Sequence, residues 1–203
     1  MSITLGLPAN EKAREQARPS RTERGAGVPA RERVEGFGGA KLPEEELMSI
    51  TLLRHTLATV AYRGGKAIRD VPPEFSEFRA GPTSRSAGEI LVHTCDLFDW
   101  ALSLADGEHK WKDSQPDDWP ANVERFHAGL AALDARLAVG DPLGSEAERL
   151  FQGPIADALT HIGQIAMLRR LAGHPVRGEN YFRAEIAAGH LGPDQAAPAK
   201  EFD

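Results

Sequence analysis

Residues 154–172 read PIADALTHIGQIAMLRRLA. Ile155, Leu159, Ile162, Ile165 and Ala166 recur at helical intervals, and the segment contains no strand-like alternation. Between 154 and 168 the only charge is Asp157, and a helix that is apolar nearly all round is expected to sit centrally in its fold. Gly173, with Pro175 behind it, marks the C-terminal stop. Two side chains break the apolar rule. Asp157 and His161 are four residues apart, about 40° around the axis at roughly 100° per residue, so they project from one face a turn apart. Gln164, Leu168 and Leu171 continue that stripe.

Working outward, residues 90–102 read ILVHTCDLFDWAL, with Ile90, His93, Leu97, Trp100 and Leu104 on one stripe behind the capping-box pair Ser86 and Glu89. The stripe ends at Asp106-Gly107 and places His93 at an interior position. An earlier helix carries Ile50, Leu53, Leu57 and Val60, with Gly64-Gly65 and then Pro72-Pro73 as its stop. A later one starts near Pro120, carries Val123, Phe126, Leu130, Leu133 and Leu137, and runs to Gly140. Ser145 and Glu148 form a second capping-box pattern ahead of the segment first quoted, with Gly153-Pro154 as an interruption. Residues 180–189 suggest one short extra helix. No run alternates like a strand, so the expected architecture is all-α, most simply a four-helix bundle.

Residues 1–47 differ in kind. They hold six Gly and four Pro, their eight basic residues cancel eight Glu, and their apolar residues lack a period. Such a segment cannot offset its ordering entropy by burial, and it is expected to be a disordered extension to a domain spanning 48–203. Met1–Leu5 (MSITL) recurs as Met48–Leu52, which leaves open that Met48 is the biological start.

The whole chain, 203 residues with 24 basic and 30 acidic side chains, carries a net charge of −6. That balance argues against a nucleic-acid or anionic-membrane partner. No apolar run of 18 residues occurs, and the start lacks the pattern of a secretory signal. The single Cys95 permits no internal disulfide and fits a reducing cytoplasm.

A carboxylate and two imidazoles facing one core are costly unless paired, hydrogen-bonded or bound to a cation. His93, Asp157 and His161 therefore form a candidate first shell for a divalent transition metal (Zn, Ni, Fe or Mn), leaving room for water or substrate. The competing reading is a metal-free polar core cluster in which an imidazole donates to Asp157. Gln164 can orient an imidazole or make an interhelical hydrogen bond, and Asp96 either accepts from His93 or is solvated. Cys95, rotated about 200° from His93, is expected to be a buried small hydrophobe. His55, His109, His127, His174 and His190 are expected at helix surfaces or in loops, with the bundle mouth an alternative for His55 and His127 that no spacing demands. Trp100, Trp111 and Trp119 are expected to be packing residues at the end of the second helix and over the loop after it, with a substrate-cleft wall as the alternative, and Arg169-Arg170 a solvated helix end.

The segment THIGQIAMLRRLAGHP (160–175), together with His93 in its own helix and the closing NYFRAEIAAGHLGPDQAAPAKEFD (180–203), resembles the DinB superfamily. The likeness covers residues 48–203. It implies a four-helix bundle, often dimeric, whose divalent metal is held by one His of the second helix and two ligands on the last. Typical members carry His-x3-His just ahead of Gly-Gln; here Gly163-Gln164 follows His161, and Asp157 stands where the first His would be. The resemblance further implies a small-molecule substrate and a metal-activated low-molecular-weight thiol, as in thiol-dependent S-transferases, or metal-activated water in a hydrolase. A non-catalytic metal-binding or interaction module is the alternative from a different class.

Overall fold

A computed structural model describes residues 42–202. Helix α1 spans Glu44–Ile68, α2 Ala87–Ala105, α3 Trp119–Ala138, α4 Ala147–Leu150 and α5 Ala156–Leu171, with a π-helical turn at Phe151–Ile155 joining the last two. Strands β1 (Gly178–Glu179) and β2 (Glu201–Phe202) pair antiparallel, Gly178 opposite Phe202. The class is all-α, and this two-residue ladder is its only β pairing among the described residues.

The helices form where periodicity and caps coincide. Ser86 caps α2 in a complete box, its Oγ accepting from Glu89 N–H while its own N–H donates to Glu89 Oε2 at 2.7 Å. Asp118 caps α3 by accepting from Ala121 N–H, and Pro120 occupies the first turn. Helix pairs α1–α3, α3–α2, α2–α5 and α5–α1 are in contact and close a ring. Its centre is filled by fully buried Leu57, Phe98, Phe126, Leu130, Leu133 and Ile165. Phe98 and Phe126 meet edge to face at 5.5 Å between centroids.

Several expectations are corrected. Helix α1 begins at Glu44, so residues 44–47 belong to it; Glu44, Glu45 and Glu46 in its first turn suit the positive end of the helix dipole. Leu42 and Pro43 lead into the helix, with Pro43 as its N-cap residue, and residues 1–41 of the expected extension lie outside the described residues. Gly64-Gly65 does not stop α1, which runs on to Ile68. A Cβ at Gly64 would lie 2.4 Å from Phe126 Cζ and 3.1 Å from Ile162 Cδ1, so this glycine is a point of close helix approach. The Ser145–Glu148 box does not form, because Glu146 is the N-cap residue of α4 and makes no side-chain cap.

Gly153-Pro154 does not break the chain of turns either. Proline has no N–H and its ring collides with the carbonyl four residues back in an α-helix. The wider π-turn holds Pro154 and lets α5 continue. Gly173, at φ 83°, closes α5 as expected. The expected helix at 180–189 is a single 3₁₀ turn, Tyr181–Arg183.

The C-terminal tail returns across the helices and is held by polar contacts. Tyr62 Oη donates to Glu179 Oε1 at 2.6 Å, and Lys66 Nζ reaches Glu179 Oε2 and Glu201 Oε1, both at 2.7 Å. His127 is buried and its Nδ1–H donates to Leu191 O at 2.7 Å, so it anchors the tail rather than facing a bundle mouth; His55 is exposed. Arg169 is not solvated. It is buried, and its guanidinium donates to the carbonyls of Ala67 and Arg69 at 3.1 and 2.7 Å, capping the C-terminus of α1. No described helix is long and apolar enough to cross a membrane.

Candidate metal centre

The contact between α2 and α5 brings His93, Asp157 and His161 together, with one ligand atom from each within 4.8 Å of the others. His161 Nε2 lies 3.5 Å from Asp157 Oδ1, and His93 Nε2 lies 3.9 Å from Asp157 Oδ2. The two imidazoles meet edge to face with centroids 4.8 Å apart. Both rings are largely covered, at 16% and 12% side-chain exposure, whereas Asp157 is 48% exposed.

The expectation that α5 is central is therefore corrected. One strip of it, Asp157, Thr160, Gly163, Gln164, Met167 and Leu171, is open to solvent. The triad lies at the edge of the core, not in its middle. An exposed Asp157 avoids the desolvation cost of a buried carboxylate and keeps one side of the triad accessible.

The donor set fits a divalent ion. At metal–ligand distances of about 2.1 Å, neighbouring donors of a tetrahedral shell stand roughly 3.4 Å apart, so the donors of this triad, between 3.5 and 4.8 Å from one another, draw together by side-chain rotation to share one ion and leave a fourth position open. Gln164 Oε1 accepts from His161 Nδ1–H at 2.8 Å, fixing that ring and leaving its Nε2 lone pair turned towards Asp157. This settles Gln164 as the residue that orients a candidate ligand. Burial, followed by the charges of Arg85 and His161, lowers the His93 pKa below the usual histidine value against the opposing pull of Asp157 and Asp96. A neutral imidazole is the form that ligates. The Nδ1 of His93 is buried with no hydrogen-bond partner among the described residues.

Asp96 does not supply that partner. It is buried, bridged to Asp99 by Arg125 Nη2 at 2.5 Å on each side, and its Oδ2 accepts from Ser114 N–H at 2.8 Å. Through Ser114 it pins the 108–118 loop, and that loop lays Trp111 on His93 with ring centroids 5.5 Å apart. The three tryptophans thus separate. Trp119 packs and donates Nε1–H to Ile68 O, Trp100 lies between His109 and Trp111, and Trp111 walls the triad. Trp111 thus takes the second of the two readings, a wall at the site, and its only signal in the sequence is an aromatic side chain inside a polar loop, HKWKDSQ.

Cys95 is buried, its Sγ 3.6 Å from Asn122 O, and desolvation pushes its thiol up to about 12. It faces away from the triad, as the helical rotation requires.

Two depressions adjoin the triad. A groove of about 430 Å³ runs from His161 and Gln164 along Met167, Leu168 and Leu171 of α5 to Ile90 and Arg85. A hollow of about 250 Å³ lies between His93 and residues 113–116. The chain matches no family model, no curated protein and no solved structure.

Proposed function

We propose that His93, Asp157 and His161 hold a divalent transition metal, and that the protein is a metal-dependent enzyme acting on a small molecule. The reading extends to a DinB-like four-helix bundle for the ring of α1, α3, α2 and α5. The observation that carries it is the open side of the triad. Asp157 is half-exposed, and a groove large enough for a small ligand ends at His161. A purely structural metal site is closed, whereas a site that keeps one side accessible serves chemistry.

The chain's residues divide the work. His93, Asp157 and His161 supply two neutral nitrogens and one negative oxygen. Gln164 holds the His161 tautomer, and Trp111 shields the outer edge of His93 from water. Bound there, an ion would supply Lewis acidity that lowers the pKa of a coordinated water or thiol. Hydrolysis or thiol-dependent S-transfer is the reaction class this arrangement supports. Asp157 in place of a third imidazole lowers the positive charge of the loaded centre, which favours hard ions over Cu-like ones.

The test is elemental analysis of untagged protein beside Asp157→Ala and His161→Ala. Near-stoichiometric Zn, Ni, Fe or Mn in the wild type, lost in both variants, is the expected result. A wild type that takes up none of these after incubation with their salts overturns the proposal and leaves the triad as a polar pair with a third neighbour.

A further inference from the structure

Arg85 immediately precedes the Ser86 cap of α2 and lines both depressions beside the triad. It is exposed, and no carboxylate pairs with it among the described residues. The acid four residues on, Glu89, is already engaged. Arg79 donates to both of its oxygens at 2.8 and 2.9 Å, and the Ser86 N–H takes Oε2 as well. Arg79 rather than Arg85 is the structural cation of this corner; Arg85 acts on Glu89 only through its charge, and among the described residues its guanidinium forms no hydrogen bond or close ion pair where it lines the groove.

The rest of the groove has the opposite character. Ile90 and Leu168 form its floor, and Met167 and Leu171 stand 56% and 57% exposed along its wall. Large apolar side chains exposed side by side, bordered by a single unpaired cation, describe a ligand surface better than a solvated helix face. The cation selects an anion, the wall selects an aliphatic body, and one guanidinium balances one negative charge. A doubly charged phosphate monoester would be left half neutralised on a chain that already carries a net −6.

We propose that this groove binds a small aliphatic monocarboxylate, with its carboxylate on Arg85 and its hydrocarbon body along Ile90, Met167, Leu168 and Leu171. The inference rests on the proposed metal centre in one respect: His161 lines the same groove, so a bound acid lies beside the residues proposed to hold the ion. Met167 supplies an unbranched, adaptable surface, so the site accepts a range of chain lengths.

The experiment is calorimetric titration of the full chain with octanoate, octanol and octyl phosphate, with metal content measured on the same preparations. Octanoate is expected to bind more tightly than either of the others. Arg85→Gln should weaken octanoate about tenfold or more while leaving octanol unchanged. Met167→Glu should weaken octanoate and octanol together, and neither variant should alter metal content. Equal affinity of the wild type for octanoate and octanol, no octanoate binding, an Arg85→Gln variant that binds octanoate as the wild type does, or tighter binding of octyl phosphate would each overturn the proposal. Arg85-dependent octanoate binding by a chain that never takes up metal would instead overturn the metal centre and leave the acid-binding groove standing.

Discussion

Two polar clusters in this protein are built from similar side chains and end in opposite states. In the first, the Glu179 carboxylate is buried, and each of its oxygens has a partner, Tyr62 Oη at 2.6 Å and Lys66 Nζ at 2.7 Å. Burial alone would lower the Lys66 pKa, but Glu179 and Glu201 outweigh it, so its ammonium stands above the ordinary value. In the second, Asp157 approaches two imidazoles at 3.5 and 3.9 Å without closing a hydrogen bond to either, and His93 Nδ1 has no partner among the described residues. The first cluster is complete and holds the tail to α1. The second leaves the Asp157 oxygens and His93 Nδ1 without hydrogen bonds among the described residues, and Asp157 is half-exposed. Buried polar groups are normally satisfied, so the orphaned His93 Nδ1 sets this cluster apart from the one at Glu179, and the proposed ion is what would complete it.

The contrast can be broken most forcefully at Glu179. Glu179→Ala leaves the buried Tyr62 hydroxyl unpaired and Lys66 with Glu201 as its one remaining carboxylate, and should cost about 3 kcal/mol in urea unfolding, while the folded fraction keeps the metal content of the wild type. Loss of metal with stability would mean that the clusters are coupled. Next, Gly64→Ala forces a methyl group against Phe126 and should cost about 1–3 kcal/mol despite the better helix propensity of alanine. A gain in stability would show that α1 and α3 can move apart freely. Gln164→Leu acts on the other cluster, and should lower metal affinity about 10- to 100-fold in chelator competition without moving the apo-protein unfolding midpoint.

Protonation gives a smaller effect with a defined sign. Burial lowers the His127 pKa in the folded state, outweighing its bond to Leu191 O, so the folded protein binds this proton less readily than the unfolded chain. Its stabilising contribution is therefore full above the unfolded value of about 6.5 and is lost as pH falls from there towards the folded pKa. His93, also lowered, adds a slope of the same sign. His127→Gln should flatten the fall in unfolding temperature between pH 7 and pH 5, leaving the part that belongs to His93; an unchanged slope would refute the assignment. Smallest of all, Asp157→Asn should change apo stability by no more than about 0.5 kcal/mol, because a half-exposed carboxylate without a hydrogen bond contributes little. The same variant should abolish any rise in unfolding temperature on adding metal.

Much of the helical layout was legible because amphipathic period and caps agreed, as at Ser86–Glu89 and Pro120. The three candidate ligands were legible for the same reason, since four-residue spacing fixes a common face and His93 occupied an interior phase. What escaped has physical causes. The groove wall, Met167 and Leu171, reads as core because an apolar side chain turned to a ligand and one turned to a neighbouring helix look identical in a string. Arg169 reads as a solvated end because its partners are main-chain carbonyls of α1, 100 residues away or more. The tail has no period at all, and its place is set by the Glu179 and Leu191 contacts rather than by local preference. Trp111 is held over His93 by Asp96 through a backbone N–H of Ser114, a link invisible to any spacing rule.

The π-turn at Phe151–Ile155 acts as a phase adjuster on a screw. Each residue added to or removed from an α-helix turns everything beyond it by roughly 100°, so the bearing of Asp157 and His161 towards His93 is dictated by how many residues this turn absorbs. Converting the five-residue turn to regular α-helix at constant length would swing both side chains off the α2-facing meridian while leaving composition and charge untouched. The alignment of the triad is thus stored in a backbone irregularity that contains none of the three side chains it serves.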